Sequence, residues 1–162
     1  MNIYHIPALL KETIEGLKIK KGGLYIDCTL GGAGHTKEIL RLGGIVLGID
    51  QDLDALENAK TLNLKNLTQV QGNFAHLKEI ALSNNFSEVD GVLFDLGLSS
   101  HQLESESRGF SFNTPAPLDM RMDQSLSVTA RDLVNGLNEG ELSDLIFKLG
   151  EERFAKRIAR EV

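Results

Sequence analysis

Three aspartates stand where chemistry could be done. Asp27, Asp50 and Asp95 each lie at or next to the end of a short apolar run, at 24–28, Ile45–Asp50 and 89–95. Asp27 is followed at once by Cys28-Thr29-Leu30-Gly31-Gly32-Ala33-Gly34-His35-Thr36. Glycines between a strand and a helix let the backbone turn sharply and let a ligand approach with no Cβ in the way. The amides at the start of the next helix favour a carboxylate or a phosphate. Asp50, at the end of the next apolar run, suits a pair of ribose hydroxyls. A nucleoside-bearing ligand fits this set.

The loop narrows the choice without closing it. A dinucleotide fingerprint wants G-x-G-x-x-G. Here Gly32-Ala33-Gly34 runs into His35-Thr36-Lys37, so the third glycine is missing. A P-loop wants G-K-[ST], and the order Thr36-Lys37 does not supply it. A carboxylate ahead of the glycines, Asp27, repels a pyrophosphate but can hold the amino group of a methionine moiety. S-adenosylmethionine (SAM), a dinucleotide and a plain structural turn therefore stay open, with SAM best served. His35, His76 and His101 have no metal-ligand spacing, and no metal is expected.

The elements that must position these groups alternate. Helices are expected at 7–17, 35–42, 53–62 and 75–82, from apolar residues at helical spacing. Strands are expected at 24–28, 45–50, 67–71 and 89–95. Strands separated by helices of this length imply an α/β, Rossmann-like parallel sheet, covered on both faces. In such a sheet ligands sit beyond the carboxyl ends of the strands, so Asp27, Asp50 and Asp95 are expected to converge on one crevice. Residues 96–123 read as a long loop. Helices are expected at 128–137, 139–148 and 151–162, the second capped by Asn138 with Glu141 three residues on.

Composition bounds the partners. With 41% hydrophobic and 25% charged residues, nothing suggests a disordered or fibrous chain. No apolar run is long enough to cross a bilayer and no signal peptide is visible, so no membrane partner and a cytoplasmic location are expected. The lone Cys28 excludes a disulfide framework. A net charge of -6 sits badly with a nucleic-acid partner. Lys148, Arg153, Lys156, Arg157 and Arg160 form a local basic stretch, whose plain reading is a solvated helix face. Charge alone does not argue for RNA.

A family resemblance does. The chain resembles the RsmH (MraW) family, bacterial methyltransferases acting on the N4 amine of a cytosine in small-subunit (16S) ribosomal RNA. The matching stretches are His5-Ile6-Pro7-Ala8-Leu9-Leu10, Gly34-His35-Thr36, Gly48-Ile49-Asp50-Gln51-Asp52 and the run from Val89 to Ser100. Gln102-Leu103, Arg108-Gly109-Phe110-Ser111-Phe112, Pro117-Leu118-Asp119-Met120-Arg121-Met122-Asp123 and Gly150-Glu151-Glu152 follow in order. The resemblance implies a class I SAM-methyltransferase fold with a helical substrate-recognition part inserted after the fourth strand. It implies SAM contacts at Ala33, Gly34, His35, Asp50, Phe74, Asp95 and Gln102, with Asp27, Gly31 and Gly32 as further candidates. Phe74 would pack on the adenine. It also implies a ribosomal RNA or 30S-particle partner.

On this reading residues 1–105 form the SAM-binding domain and 106–162 the loop and the start of the insertion. Family members are longer and their sheets carry further strands. The chain is therefore expected to be an incomplete fold that stops inside the insertion and need not be active alone. An open sheet edge would invite self-association. Asp95 is the candidate acceptor for the cytosine amine. Arg108, Phe110, Phe112 and Arg121 are candidates for stacking and phosphate contact with a single-stranded or flipped base. Two rivals remain: a nicotinamide oxidoreductase of Rossmann type, and a non-catalytic module that binds SAM or RNA.

Overall fold

The computed structural model describes residues 6–113 and 115–162; His5 of the first matching stretch lies outside the described residues. The chain divides into two units, residues 1–103 with 122–124, and residues 104–121 with 125–162.

The first unit is built on four parallel strands. They are β1 (Leu24–Asp27), β2 (Ile45–Asp50), β3 (Leu67–Gln71) and β4 (Gly91–Leu93), in the order β3-β2-β1-β4. The register pairs Asp27 with Gly48 on one side and with Leu93 on the other. The α/β parallel sheet expected from the sequence is the one found.

Both faces are covered, which is why the strands read as nearly continuous apolar runs. Ile26, Cys28, Leu47 and Ile49 point to one face and pack with Ala81 and Phe86. Ala81 belongs to α4 (Leu77–Ser83), which follows a 3-10 turn at Phe74–His76. Tyr25 and Val46 point the other way and meet Ile39 of α2 (Gly34–Arg41), with Ile14 and Leu17 of α1 (Leu10–Leu17) beside them. Leu56 and Ala59 of α3 (Leu53–Thr61) close a third cluster with Leu30 and Ala33 of the glycine-rich turn. The turn is thus anchored by its own apolar residues.

Some boundaries differ from expectation. α1 starts at Leu10 instead of residue 7, because Leu9 adopts a left-handed conformation (φ 47°). β4 is shortened at both ends. The Asp90 carboxylate, instead of a longer ladder, takes the Leu24 N–H (3.1 Å), and the Asp95 N–H goes to the Thr29 hydroxyl (2.8 Å). A short helix that the sequence reading missed, α5 (Ser100–Glu104), follows β4.

In the second unit, α6 (Ala130–Gly136) and α7 (Glu139–Gly150) each open with a reciprocal capping box, from Thr129 with Asp132 and from Asn138 with Glu141. α7 ends at Glu151 in a left-handed conformation (φ 52°), so α8 (Ala155–Glu161) starts four residues later than expected. The loop before α6 is tied into the helices through its backbone. Met120 N–H reaches Arg108 O, Ala130 N–H reaches Asp119 O and Arg131 N–H reaches Leu118 O, at 2.8–2.9 Å. Gly109 makes this possible: it has φ 72°, and a Cβ there would lie 2.4 Å from the Pro117 carbonyl oxygen.

Gly109→Ala is therefore expected to destabilise the second unit by about 1–3 kcal/mol, the usual range for a strained left-handed residue. Hydrogen exchange at the Met120, Ala130 and Arg131 amides checks this. Protection equal to the unsubstituted chain would refute the assignment.

Candidate functional site

The strand order places a topological switch between β1 and β4, since the chain first winds one way from β1 and then returns to its other side. Crevices for ligands form at such a point, beyond the carboxyl ends of the strands. A cavity of about 410 Å³ lies there, within the range of small-molecule sites. Gly31, Gly32, Gly34, His35, Asp50, Phe74, Asp95 and Gln102 all line it. Eight of the ten cofactor candidates named from the sequence thus share one wall system. Pro7, Ala8, Thr29, Gln51, Gly72, Ser99 and Met122 line it too, and the sequence reading missed them as site residues.

Each wall is held by identifiable bonds. The Asp50 carboxylate accepts the Gly31 N–H at 2.8 Å and the Asp52 N–H at 2.9 Å. That ties the glycine-rich turn to the end of β2. Burial pushes the Asp50 carboxyl above its ordinary range, against the pull of the Asp52, Gly31 and Gln51 amides. Gly31 takes the turn with φ 46°, and Ala33 follows at φ 58°. Gly34 is required by close approach: a Cβ there would meet the Pro7 ring at 2.7 Å. The segment at Pro7 and Ala8 therefore lies directly on the turn. The His35 ring seals this contact, because Nε2 is 2.9 Å from the Ala8 carbonyl and must donate to it.

That bond fixes the tautomer. In the neutral ring Nδ1 is then a bare acceptor, and it lies 3.8 Å from an Asp95 carboxylate oxygen. Two acceptors facing one another suit a shared cationic or N–H-bearing guest. Phe74, on the cavity wall, and Phe94 stand edge to face, centroids 5.5 Å apart.

Two of the ten candidates are placed otherwise. Asp27 is only 1% exposed and does not line the cavity. It faces the α2 side of the sheet, accepting from the Thr36 hydroxyl at 2.7 Å and the Thr29 N–H at 3.2 Å. The expected convergence of three acids thus becomes two acids on the cavity and one beneath it. Alternation along β1 explains this: Asp27 shares the face of Tyr25, two residues back. Ala33 is wholly buried in the cluster with Leu56 and Ala59. Cys28 borders the cavity, but burial pushes its thiol up to about 12, which removes it as a nucleophile at neutral pH.

The candidates for RNA contact, all in the second unit, need the larger correction. Arg108 is 2% exposed; its guanidinium donates to the Arg121 carbonyl (3.0 Å) and stands 5.9 Å from the half-buried Phe110 ring. Arg121 grips Asp119 through Nε (2.8 Å) and Nη2 (2.6 Å). These arginines brace the loop, and a buried guanidinium offers nothing to a phosphate. Arg121 holds the Asp119 carboxyl down at about 2. Phe112 alone of the four is fully presented, at 99% exposure. Among the described residues, no three His, Cys, Asp or Glu side chains gather as a metal site, and no helix is long and apolar enough to cross a membrane.

The cavity belongs to an α/β domain of nucleoside-binding type, with acids at two strand tips and a glycine-rich turn between them. The family model described as the MraW methylase family matches residues 2–162, and the chain belongs to that family. It is 47% identical over 168 aligned residues to the ribosomal RNA small subunit methyltransferase H of Brevibacillus brevis, covering 100% of this chain and 54% of that protein. It is 48% identical to the protein of the same name from a Paenibacillus species, covering 98% of this chain and 54% of the relative. The chain thus spans about half the length of the curated relatives it matches. Among solved structures, it is similar to the C-terminal domain of a precorrin-6Y C5,15-methyltransferase from Rhodobacter capsulatus, with a TM-score of 0.47 and 21% identity over 60% of this chain and 55% of that one.

Asp27 generates a pH prediction. Burial raises its carboxyl above the ordinary 3.8, outweighing the Thr36 and Thr29 bonds that lower it. The folded chain then holds this proton more tightly than the unfolded one. The stability it contributes is complete below the unfolded value and is lost as pH rises through the raised folded value. Asp27→Asn keeps an oxygen for the Thr29 N–H and lets the Thr36 hydroxyl turn to accept. Its stability is expected to fall less than that of the unsubstituted chain as pH rises above the ordinary 3.8 of a free aspartate, in denaturant titrations. Parallel curves would show that Asp27 carries no such burden.

Proposed function

We propose that this chain forms the cofactor-binding part of a SAM-dependent methyltransferase whose substrate is the N4 amine of a cytosine in 16S ribosomal RNA. The observation that carries the cofactor is the charge of the cavity. Among the described residues its walls include Asp50, Asp95 and His35 and no lysine or arginine. The turn's amides are largely spent internally, Gly31 N–H on Asp50 and Ala33 N–H on Leu30 O (2.7 Å). Such a wall repels a pyrophosphate and attracts a ligand bearing an ammonium and a sulfonium. This argues against the nicotinamide reading.

The residues present fit SAM group by group. Asp50 has lone pairs left for the ribose hydroxyls after taking two backbone amides. The Phe74 ring offers a face for the adenine. Asp95 and His35 Nδ1 suit the methionine ammonium, the part first given to Asp27. Glycines 31 and 32 line the cavity without a side chain to obstruct it. SAM, when bound, supplies an electrophilic methyl group. The protein's work is to hold the cytosine amine in line with that group, which is mostly positioning. The amine that accepts this methyl group would have to shed a proton. Asp95, or the backbone carbonyls beside Leu96, can accept the amine N–H and draw its lone pair out of the ring. The base has to be single-stranded or flipped to arrive.

Family membership and the names of the relatives support the ribosomal substrate, and a ribosomal substrate sets the reaction in the cytoplasm. The second unit, with its loop and helices, is on this reading the start of the substrate-recognition part.

Calorimetry decides the cofactor. SAM is expected to bind and NAD not; tight NAD binding with no SAM binding would reject the proposal. Asp50→Ala is expected to weaken SAM binding by ~1–3 kcal/mol, the usual loss for a charged hydrogen-bond partner. An unchanged affinity would take Asp50 out of the site. Methyl transfer to small ribosomal subunits by the natural-length protein tests the substrate. Label entering no 16S RNA would overturn that half.

A further inference from the structure

Asp52 follows the ribose-side acid by two residues but is 1% exposed and does not line the cavity. Its two oxygens face different elements. Oδ1 accepts the Asp54 N–H at 3.1 Å and so caps α3. Oδ2 accepts from the side-chain amide of Gln102 at 2.6 Å, fifty positions further on. Gln102 is itself buried, 7% exposed, on α5.

Gln102 is also committed at its other end. Its Oε1 accepts the Ser99 N–H at 2.9 Å, and the Ser99 hydroxyl accepts the Gln102 N–H at 3.2 Å. That is a reciprocal capping box at the start of α5. A box of this kind accepts Glu or Gln equally, but only Gln keeps an N–H to give to a buried carboxylate. The residue type is thus explained by Asp52. One amide–carboxylate bond joins two helix starts. One follows Asp50, and the other ends the stretch Asp95–Ser99 that walls the cavity's opposite side. Charge-assisted bonds of this length are the strong ones.

We propose that Asp52 and Gln102 form a clamp that sets the spacing between the Asp50 and Asp95 walls, making Asp52 a positioning residue for the cofactor. Gln102 then acts chiefly through Asp52 and Ser99, not as a simple ligand contact. This rests on the SAM reading of the cavity.

The polarity of the clamp can be reversed, which supplies the test. Asp52→Asn sets an amide against an amide, and whichever way the new side chain turns, one N–H faces another donor. Gln102→Glu sets two buried carboxylates together. The double variant D52N/Q102E keeps both caps and lets position 52 donate to position 102. In the natural-length protein, below the melting temperature of every variant, each single change is expected to weaken SAM binding about tenfold or more, the size expected for a bond to a charged group. The double variant is expected to recover most of that loss. Asp52→Asn binding SAM as tightly as the unsubstituted protein would overturn the clamp. So would a double variant as weak as Gln102→Glu alone, since Gln102 would then act by its own contact.

Hydrogen exchange at the Ser99 and Gln102 amides reads the clamp with no ligand present. Exchange is expected to speed up in both single variants and to slow again in the double. Equal exchange in Asp52→Asn overturns the clamp whatever the cavity binds. An unsubstituted protein that ignores SAM but shows this exchange pattern instead refutes the cofactor assignment and keeps the clamp.

Discussion

The bond from the Gly31 amide to the Asp50 carboxylate is the constraint on which the cavity depends. At 2.8 Å it joins the turn after β1 to the tip of β2. Asp27 is in register with Gly48, so β2 runs two residues past the end of β1 and brings Asp50 level with the turn. The bond also decides the chemistry of the turn. A glycine-rich turn with open amides is a phosphate cradle. Here an amide is already given to a carboxylate, and the local field turns negative. On the proposed reading, the fold element that elsewhere receives a pyrophosphate here receives positive charge.

Asp27 underlies that conversion although no ligand reaches it. Its carboxylate collects the Thr29 N–H and the Thr36 hydroxyl, one from each end of the turn. Thr29 passes the order on by accepting the Asp95 N–H on its own hydroxyl. A chain of side-chain bonds therefore runs from beneath the turn to the second acid of the cavity. Buried networks of this kind rigidify when every member is satisfied. The cost is a buried acid, and the pressure it places on stability at neutral pH is the counterpart of a preorganised wall.

The sheet, its order of elements and the acids at its strand ends were legible in the sequence because they follow from period and spacing, whereas His35, Phe74 and Gln102 were indicated only by the family resemblance. Apolar runs of strand length, each followed by a helix, leave little choice but a parallel sheet, and that sheet sends its acids to one end. What could not be read was orientation. Spacing put Asp27 with Asp50 and Asp95, whereas the pleat of β1 turned it to the α2 side. The roof from Pro7 and Ala8 was equally hidden, since only the missing Cβ of Gly34 and the His35 ring link it to the turn. α5 was readable in principle, because Ser99 and Gln102 have capping-box spacing. Five residues carry too little periodicity to show it otherwise.

Arginine types misled for the same reason: a formal charge in a loop says nothing of its partner. In the second unit Arg121 is held by Asp119, Arg160 stands 3.5 Å from Glu139 and Lys148 lies 2.9 Å from Asp144. These three basic groups each have a carboxylate neighbour, while Arg153, Lys156 and Arg157 are exposed in and just before α8. Phe112 holds its whole ring in solvent, an arrangement with no return inside the fold. The proposed contact of this ring with a single-stranded base would be stacking, which needs no net charge.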